Sequence, residues 1–410
     1  MTLDYGNFQV IMNENTGNWI ALENKGFEIY STYAGLSDYP TAEIEEFVRN
    51  IDSHLEHINS FEDSEKGLSV LLTNMCNFSC LHCYYSSSYT QPKMLEFNES
   101  YQDFISNCVA DGFKWICFSG GEPLLNKSFE KFIINAAENG LHISVLTNGS
   151  LVDEKIAKLF SDYNVSVQVS LDGTGDVYET IRCGSKYSKT LRGLKLLSKY
   201  AVGTDISFLP AKLTIPDYEN VVRIAQEYGV KSIHMPFLEI YGRAVENYER
   251  LHISHQELFS FMELVIDDYF EGKYNGIKIG FIENLMGQLL HPNVQISCRA
   301  CREMILGIDY NERVYPCSEL IMDEYCIGTI QESLPELRKN FRKRLCNISS
   351  ASVNRIEKCS LCPFKVLCGG GCRVQALIAG DVLQEDKYCE VLKKLYTKIL
   401  EKIVVYDIDA

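Results

Sequence analysis

The sequence predicts an α/β fold built on a parallel sheet, followed by a small C-terminal region organised by metal. Between residues 67 and 240, six short apolar or β-rich runs alternate with helical patterns, which is typical of parallel strands joined by crossover helices. From residue 291 onward the chain reads as loops dense in cysteine, which favours a fold held by metal over one held by a large core. The predicted strands are 68–72, 115–118, 143–146, 165–169, 206–209 and 232–236, and the helical patterns between them are 129–138, 154–160, 191–200 and 218–228.

The first 66 residues contain no cysteine and predict a short N-terminal α+β segment. Residues 8–12 and 19–22 have the composition of strands, and the turn-forming run 13–17 separates them. A helical period follows the candidate cap Thr41. Its apolar positions are Ile44, Phe47, Ile51, Leu55 and Ile58.

Small polar or glycine-rich turns follow four of the predicted strands. They lie at residues 73–74, 119–121, 147–149 and 170–173. In α/β barrels the active site is built from the loops that follow the strands. We therefore expect these four turns to converge on one face and to carry the functional site.

Composition and charge exclude several classes of function. The chain has 410 residues, which predicts two or three domains, and a formal net charge of −16 from 39 Lys+Arg against 55 Asp+Glu. This acidic balance argues against binding to nucleic acid or to anionic membranes. No apolar run approaches the length of a membrane span, and residues 1–10 lack the pattern of a signal peptide. We expect a soluble cytoplasmic protein with neither a nucleic-acid nor a membrane partner.

Sixteen cysteines are too few for a disulfide scaffold and many for a reducing compartment. Without a secretion signal, clustered cysteines indicate metal ligands, whereas scattered ones are expected to be small buried hydrophobic residues. The clusters are Cys76, Cys80 and Cys83, then Cys298, Cys301 and Cys317, then Cys359, Cys362, Cys368, Cys372 and Cys389, and the scattered cysteines are Cys108, Cys117, Cys183, Cys326 and Cys346.

The first cysteine group directly follows the first predicted strand, in the order Cys76-x3-Cys80-x2-Cys83. Three thiolates at this spacing can hold three corners of an iron–sulfur cube and leave the fourth iron without a protein ligand. An open metal position is where catalysis takes place. The alternatives are a zinc site with a distant fourth ligand and three structural cysteines.

The run CNFSCLHC at residues 76–83 resembles the CxxxCxxC motif of the radical S-adenosylmethionine (SAM) enzymes. The resemblance continues through the SGGEP run at 119–123, then Asn148, Ser170 and Arg182, and covers about residues 67–245. It implies a partial (β/α)6 barrel whose open iron chelates the amino and carboxylate groups of SAM. Electron transfer into the sulfonium then breaks a carbon–sulfur bond, and the 5′-deoxyadenosyl radical abstracts a substrate hydrogen. A reductant such as flavodoxin or ferredoxin would supply the electron.

The resemblance also implies roles for the residues that bind SAM. The backbone freedom of Gly120 and Gly121 lets their carbonyls meet the SAM ammonium, and Glu122 in the same motif counts among the cofactor-binding residues. Arg182 can pair with the methionine carboxylate, and His82 occupies a position that is often aromatic and near the adenine. Ser170 and Asn148 offer neutral hydrogen bonds to the ribose or the methionyl end. The alternatives are a solvated surface position for Arg182 and ordinary turn chemistry for Ser170 and Asn148.

The C-terminal cysteines resemble the SPASM extension of radical SAM enzymes, which binds auxiliary [4Fe–4S] clusters. A zinc ribbon is the alternative. Two departures from the family pattern affect the inner site. The hairpin before Cys317 has Asn311-Glu312 where a turn glycine is usual, and Asn tolerates a left-handed turn. The spacing between Cys298 and Cys301 is shorter than in some members of the family. If Cys298 is not the fourth ligand, the inner cluster keeps an open iron. Carried over by position, the outer cluster takes Cys359, Cys362, Cys368 and Cys389, and the inner one takes Cys372, Cys301, Cys317 and Cys298.

SPASM enzymes mostly modify peptides or proteins, so a polypeptide substrate is the first hypothesis. Anaerobic sulfatase maturases carry a general-base Asp directly after the cysteine that matches Cys317, and here that residue is Ser318. A serine does not serve as that base without its own activator, and Glu319, one position later, points differently along a strand. This makes a sulfatase-maturase-like protein oxidation the weaker alternative.

The N-terminal segment resembles the peptide-recognition element of enzymes that modify ribosomally made peptides, where a leader adds as a strand to a sheet edge. Packing decoration is the alternative for this short segment. The sequence thus predicts a radical SAM maturase of a ribosomal precursor peptide that installs a thioether, a carbon–carbon crosslink or a related oxidation. We expect segments 1–66, 67–290 for the radical SAM core and 291–410 for the SPASM domain. The alternative from another class is a non-catalytic iron–sulfur or zinc protein.

Overall fold

The computed structural model describes residues 1–57, 65–87, 89 and 91–408. Contacts divide the chain into two compact units. The terminal unit combines 1–63, 282–298 and 351–410, and the sheet unit combines 64–281 and 299–350. This grouping differs from the three consecutive segments expected from the sequence, because both ends of the chain fall in one unit.

Strands and helices alternate through most of the sheet unit. Within the described residues no helix is long and apolar enough to cross a membrane. The strands are β1 Thr2–Asp4, β2 Phe8–Met12, β3 Trp19–Glu23, β4 Lys66–Leu71, β5 Phe113–Ser119, β6 His142–Thr147, β7 Ser166–Ser170, β8 Thr204–Ser207, β9 Ser232–His234, β10 Lys278–Ile279, β11 Ile305–Ile308, β12 Arg313–Tyr315 and β13 Gly328–Thr329. The helices are α1 Asn24–Tyr33, α2 Ala42–Glu56, α3 Glu99–Ala110, α4 Phe129–Glu138, α5 Glu154–Asp162, α6 Gly175–Ile181, α7 Tyr187–Lys199, α8 Tyr218–Glu227, α9 Arg243–Glu246, α10 Tyr248–Leu251, α11 His255–Phe270, α12 Gly280–Leu290, α13 Leu334–Arg344, α14 Cys346–Ser349, α15 Glu357–Ser360, α16 Lys365–Cys368, α17 Arg373–Ala379 and α18 Cys389–Val405.

Ten strands form the sheet of the sheet unit, in the order β10-β9-β8-β7-β6-β5-β4-β11-β12-β13. Strands β4 to β9 pair in parallel and in chain order, so the carboxyl ends of all six lie at one edge. The six predicted strands overlap these six one by one, and the predicted α/β fold with a parallel sheet is confirmed.

The central strand β4 is buried over most of its length. Leu68 and Val70 are fully buried and Leu71 is 2% exposed. A strand buried on both faces is rich in apolar residues along its length, and four of the five residues 68–72 are apolar. Burying one such side chain contributes about 1.5–3 kcal/mol, so this strand anchors the loop that follows it.

The predicted N-terminal elements form within the terminal unit. Strands β1, β2 and β3 make an antiparallel sheet in that order, and only the three-residue β1 was not predicted. The hydroxyl of Thr41 accepts a hydrogen bond from the Ile44 amide at 3.3 Å, so the predicted cap of α2 is confirmed. On the same helix Ile51 and Leu55 pack with Ile11 of β2. Ile58, assigned to this helix from the sequence, lies outside the described residues.

The region after residue 291 is not the loop-like stretch that the sequence predicted. Strands β11 and β12 form a hairpin, and β11 pairs in parallel with β4, so this hairpin extends the main sheet. The 17-residue helix α18 buries Val391, Leu395, Ile399 and Ile403 at a four-residue spacing. That spacing is visible in the sequence, and the density of cysteines obscured it.

The five scattered cysteines do not share one environment. Cys108 is fully buried, as expected. Cys117, Cys183 and Cys326 are half-buried, and Cys346 is exposed, so the expectation of burial is wrong for Cys346. Cys346 begins the short helix α14, which exposes one side to solvent.

Candidate active site

A cavity at the carboxyl ends of strands β4 to β9 collects most of the residues singled out by sequence. Its volume open to the centre of a water molecule is about 360 Å³. The loops after parallel strands point to this edge, which is where α/β folds place their active sites. Nine of the ten residues predicted to bind the first cluster or SAM line it, namely Cys76, Cys80, Cys83, His82, Gly120, Gly121, Asn148, Ser170 and Arg182.

The three-cysteine loop, residues 76–83, follows β4 and is held by backbone hydrogen bonds. The Ser79 amide donates to the Cys183 carbonyl at 2.7 Å, and the Leu81 amide donates to the Ile181 carbonyl at 2.9 Å. The Phe78 amide donates to the Cys76 sulfur at 3.4 Å. Ordering of the loop therefore depends on the end of α6 as well as on β4.

Burial opposes ionisation of two of these thiols, Cys76 and Cys80, in the absence of a cation. Burial raises the pKa of Cys76 to about 12 and that of Cys80 to about 11. A bound metal supplies the positive charge that makes thiolates stable in such a site. In the described part of the chain no three Cys, His, Asp or Glu side chains converge closely enough for a single metal ion.

Asp172 is a site residue that sequence reasoning missed. Its Oδ2 lies 2.6 Å from Nη2 of Arg182, and its Oδ1 accepts a hydrogen bond from the Leu209 amide at 2.8 Å. Arg182 also donates from Nη1 to the Cys80 sulfur at 3.7 Å. Burial lowers the pKa of Arg182, and the attraction of Asp172 more than offsets this, so its pKa rises and the guanidinium stays charged. Arg182 is therefore buried and paired, which excludes the alternative of a solvated surface arginine.

His82 faces the same carboxylate from the three-cysteine loop. Its Nε2 lies 3.6 Å from Oδ2 of Asp172. Burial lowers the pKa of His82 to about 4, against the opposing attraction of Asp172, so the ring is neutral at pH 7. A neutral imidazole suits contact with a flat apolar ring such as adenine.

Gly120 and Gly121 pack closely against the backbone that precedes Cys76, at the positions where other residues carry a Cβ. A Cβ on Gly121 would lie 2.0 Å from the Met75 carbonyl oxygen, and a Cβ on Gly120 would lie 2.5 Å from the Thr73 carbonyl oxygen. Gly120 also has a φ of +136°, which disfavours other residues. The glycines thus let β5 and the start of the three-cysteine loop meet without a gap.

Glu122 is the one predicted cofactor residue that does not line the cavity. Its carboxylate lies behind the wall, where it accepts from the Thr147 hydroxyl and the Asn148 amide, both at 2.8 Å. Burial raises the pKa of Glu122 to about 7, and these hydrogen bonds oppose the rise. Its contacts are those of a brace between the turns after β5 and β6.

Asn148 lines the cavity, and its side chain also bonds to the three-cysteine loop. Its amide donates to Oδ1 of Asn77 at 2.9 Å, and its Oδ1 accepts from the Ser150 hydroxyl at 2.6 Å. This is the turn chemistry that the sequence left open for Asn148. Ser170 ends β7 and stands at the cavity wall.

The wall beyond the three-cysteine loop is aromatic and acidic. The Tyr84 hydroxyl donates to the Glu319 carbonyl at 2.5 Å, and the ring of Tyr84 lies 4.9 Å from that of Tyr241. Glu239 hydrogen-bonds to the Glu319 carboxyl, and both line the cavity. Burial raises the pKa of Glu319, and the hydrogen bonds from Ser318 and Glu239 oppose the rise. A buried carboxyl with a raised pKa in a cavity, such as that of Glu319, is typical of functional sites.

A second cavity, in the terminal unit, brings four thiols together. All four predicted ligands of the outer cluster, Cys359, Cys362, Cys368 and Cys389, line it. Its volume open to the centre of a water molecule is about 20 Å³. Burial raises the pKa of Cys368 to about 12 and that of Cys389 to about 11.

Two buried charged residues organise the glycine-rich turn of this outer site. Asp386 accepts from the Cys372 amide at 2.6 Å, and a Cβ on Gly371 would lie 2.6 Å from the Asp386 side chain. The guanidinium of Arg373 donates to the Gly370 carbonyl and, at 2.8 Å, to the Val382 carbonyl. The close glycine packing expected around this cluster therefore involves Asp386 and Arg373, which the sequence did not single out.

The four predicted ligands of the inner cluster fall in both units. Cys301 and Cys317 belong to the sheet unit, and Cys298 and Cys372 belong to the terminal unit. Cys301 is 9% exposed and the other three are half-buried. Their assignment stays a prediction.

The hairpin before Cys317 forms without a turn glycine. The left-handed residue is Glu312, with a φ of +64°, and not Asn311 as the sequence reading expected. The Glu312 carboxylate accepts hydrogen bonds from Asn98 and Gln331, each at 2.7 Å. These two contacts help to offset the cost of about 1–2 kcal/mol for a non-glycine residue in this conformation.

The donor set of the first cavity fits a [4Fe–4S] cluster with SAM. Three thiols with open space beside them leave one iron for a second ligand, which a closed four-ligand site does not. Two buried atoms, Nε of Arg182 and Nδ1 of His82, have no hydrogen-bond partner among the described residues. Polar atoms of this kind at a cavity are places where a polar cosubstrate gains hydrogen bonds.

Sequence comparison identifies the segment that carries this site. A profile of the radical SAM superfamily matches residues 70–225. The cysteine-type anaerobic sulfatase-maturating enzyme of Clostridium novyi is 26% identical over 82% of this chain and 96% of its own length. The sporulation killing factor maturation protein SkfB of Bacillus subtilis is 28% identical over 49% of this chain and 50% of its own length.

Solved structures share the fold over most of the chain. The structure of native anSMEcpe with bound AdoMet and the Cp18Cys peptide has a TM-score of 0.68 at 22% identity, covering 83% of this chain and 98% of that one. Streptococcus suis SuiB bound to the precursor peptide SuiA has a TM-score of 0.62 at 15% identity, covering 95% of this chain and 100% of that one. At these identities the likeness shows the fold alone.

Proposed function

As the chain carries a radical SAM domain and is an enzyme of that superfamily, whose cofactors are a [4Fe–4S] cluster and SAM, we propose that it matures a ribosomally made precursor peptide. The product would be a thioether, a carbon–carbon crosslink or a related oxidation of the peptide. The observation that carries this proposal is the cavity that joins three thiols to an open, aromatic and acidic wall. Such a space is suited to a side chain of a polypeptide.

Each residue around the cavity has a role in this proposal. Cys76, Cys80 and Cys83 would hold the cluster, and Arg182, kept charged by Asp172, would bind the SAM carboxylate. His82, Ser170, Asn148 and the carbonyls at 120–121 would border the rest of SAM, while Glu122 braces the wall from behind. When bound, the cluster and SAM supply a 5′-deoxyadenosyl radical that removes a hydrogen atom from substrate.

The N-terminal sheet supports a peptide partner. Strand β3 pairs with β2 on one edge, and no strand among the described residues pairs with its other edge. Beside it, Trp19 of β3 and His54 of α2 border a groove with about 590 Å³ open to the centre of a water molecule. An extended leader could add to this edge as a fourth strand and place a side chain in the groove. The SuiB structure holds a precursor peptide, which favours the same class of partner here.

The remaining thiols would hold two auxiliary clusters. We assign the outer one to the four cysteines of the closed cavity and the inner one to Cys298, Cys301, Cys317 and Cys372. Together with the first cluster this predicts about twelve irons per chain. A one-electron donor such as flavodoxin or ferredoxin would reduce the first cluster.

Sulfatase maturation is the second candidate, because the Clostridium novyi relative is matched over 96% of its length. The residue after Cys317 weakens it. This residue is Ser318, and its hydroxyl makes only a long hydrogen bond, 3.4 Å, to the Glu319 carboxylate. A serine in this position does not have the proton affinity of a carboxylate base.

The first experiment separates an enzyme from a non-catalytic metal protein. The protein is reconstituted anaerobically, reduced with dithionite and supplied with SAM, and 5′-deoxyadenosine is measured. We expect 5′-deoxyadenosine and about twelve irons. Stoichiometric zinc with little iron, or no 5′-deoxyadenosine, would overturn the proposal.

The second experiment identifies the substrate class. A small peptide encoded beside this protein is co-expressed with and without it and analysed by mass spectrometry. A loss of two hydrogens from the peptide is expected, whereas modification of a co-expressed sulfatase alone would favour the second candidate. Ser53→Arg on α2, at the groove, should weaken binding of that peptide, and the matched control Thr32→Arg on α1 should not.

A further inference from the structure

We propose that Arg243 is a positioning residue that fixes the three-cysteine loop and places a permanent positive charge beside it. No motif drew attention to this arginine, which begins the short helix α9 after β9. The inference rests on the proposed function only in so far as the three thiols carry a cluster.

Three hydrogen bonds join Arg243 to the chain around the thiols. Its Nε donates to the Cys80 carbonyl at 2.8 Å, and its Nη1 donates to the Ser87 carbonyl at 2.9 Å. Its backbone amide donates to the Cys83 carbonyl at 3.1 Å. One residue thus ties the second and third cysteines and the end of the following turn together.

The residue before Arg243 makes this contact sterically specific. Gly242 has a φ of +55°, and a Cβ there would lie 2.2 Å from the Tyr84 carbonyl oxygen and 2.5 Å from the Cys83 carbonyl oxygen. Only glycine allows so close an approach. Further along, the Asn247 amide reaches the Leu81 carbonyl at 3.4 Å. The segment 242–247 is therefore built against the three-cysteine loop along its length.

The chemistry of a guanidinium explains why an arginine serves here. Its planar fork donates in two directions at once, which a lysine ammonium on a flexible stem does not reproduce. Its charge is permanent and lies next to the backbone of two thiol-bearing residues. A fixed cation near an iron–sulfur cluster favours the more negative, reduced state and so raises the reduction potential. Arg243 therefore has two separable effects, the positioning of the loop by its hydrogen bonds and the electrostatic effect of its charge. Different substitutions test the two.

The experiment compares the reconstituted holoenzyme with three variants. Arg243→Gln removes the charge, Arg243→Lys keeps the charge and loses the fork, and Arg250→Gln, at an exposed position of α10, is the matched control. The readouts are iron content, the electron paramagnetic resonance spectrum of the reduced protein with and without SAM, and the midpoint potential of the SAM-responsive signal.

We expect Arg243→Gln to lower that potential and to change the line shape, and to reduce 5′-deoxyadenosine formation about 10–100-fold, as for other groups that orient metal ligands. Arg243→Lys should restore the potential and not the line shape, and Arg250→Gln should match the wild type. If Arg243→Gln does not fold, Arg243→Lys decides by its line shape. A wild-type spectrum and potential in the Arg243 variants would overturn the inference, whereas absence of any SAM-responsive signal in the wild type would instead refute the proposed function.

Discussion

The cavity of the sheet unit and the thiol cavity of the terminal unit are both lined by cysteines, and they differ in thiol number and in space. The first has three thiols, from Cys76 to Cys83, and about 360 Å³ open to the centre of a water molecule. The second has four, from Cys359 to Cys389, and about 20 Å³. The cavity with three thiols has free volume beside them, and the cavity with four thiols is closely packed. This is the distinction between a metal site that reacts and one that stores electrons or holds the fold.

The two cavities also differ in what surrounds their thiols. Around the first, the charged groups Asp172, Arg182 and Arg243 hold one another or the loop backbone, and the buried atoms Nε of Arg182 and Nδ1 of His82 have no hydrogen-bond partner among the described residues. Around the second, Asp386 accepts from the Cys372 amide, and Arg373 donates to the carbonyls of Gly370 and Val382. The first environment is arranged to receive a polar ligand, and the second is closed around the thiols.

The largest expected effect comes from removing the three thiols of the first cavity. Replacing Cys76, Cys80 and Cys83 together by alanine should abolish 5′-deoxyadenosine formation and lower the iron content by about four per chain, because no other thiols line this cavity. Metal analysis and product chromatography measure both. Cys346→Ala, at an exposed thiol, is the control. Unchanged turnover in the triple variant would show that the three-thiol cavity is not the reactive site.

Removing thiols of the second cavity should separate the two sites. Cys359→Ala with Cys362→Ala should also cost about four irons, yet leave SAM cleavage measurable in the presence of dithionite, because a cavity with four thiols and about 20 Å³ has no open position for the cosubstrate. Peptide modification should fall further than SAM cleavage. The ratio of modified peptide to 5′-deoxyadenosine measures this, and an equal loss of both would show that the two cavities do not have different roles.

The sequence predicts those features of the structure that depend on residues close together in the chain. The six parallel strands and the three-cysteine loop follow from short runs of residues, so they are predicted well. Asp172, Arg243 and Asp386 act through partners that are distant in sequence, such as Leu209 for Asp172 and Cys80 for Arg243. No local pattern marks such residues.

Two further differences have specific causes. The glycine motif predicts a cofactor-binding role for Glu122, but its carboxylate accepts from Thr147 and does not line the cavity. Helix α18 was missed even though its apolar spacing is regular. In both cases a neighbouring motif dominated the interpretation of residues that have their own structural role.

An intermediate effect is expected at Asp172, whose carboxylate holds Arg182 and the loop after β8. Asp172→Asn keeps the size of the side chain and removes its charge, so Arg182 loses its buried counter-ion. We expect SAM to bind about 10–100-fold more weakly, with a smaller effect on iron content. Equilibrium binding of SAM to the reconstituted enzyme tests this, with Asp205→Asn on β8 as the control outside the cavity lining. Wild-type affinity for SAM would mean that Asp172 does not position Arg182.

The smallest effect is expected in the terminal unit, at the cap of α2. Thr41→Ala removes the hydrogen bond from the Ile44 amide, which costs about 1 kcal/mol of helix stability. Because α2 packs by Ile51 and Leu55 against the N-terminal strands, the change should slightly lower the melting temperature of the terminal unit and leave 5′-deoxyadenosine formation unaltered. Thermal unfolding and product assays on one preparation test both parts. A large loss of SAM cleavage would contradict this expectation, whereas Thr32→Ala, at an exposed position of α1, should change neither quantity.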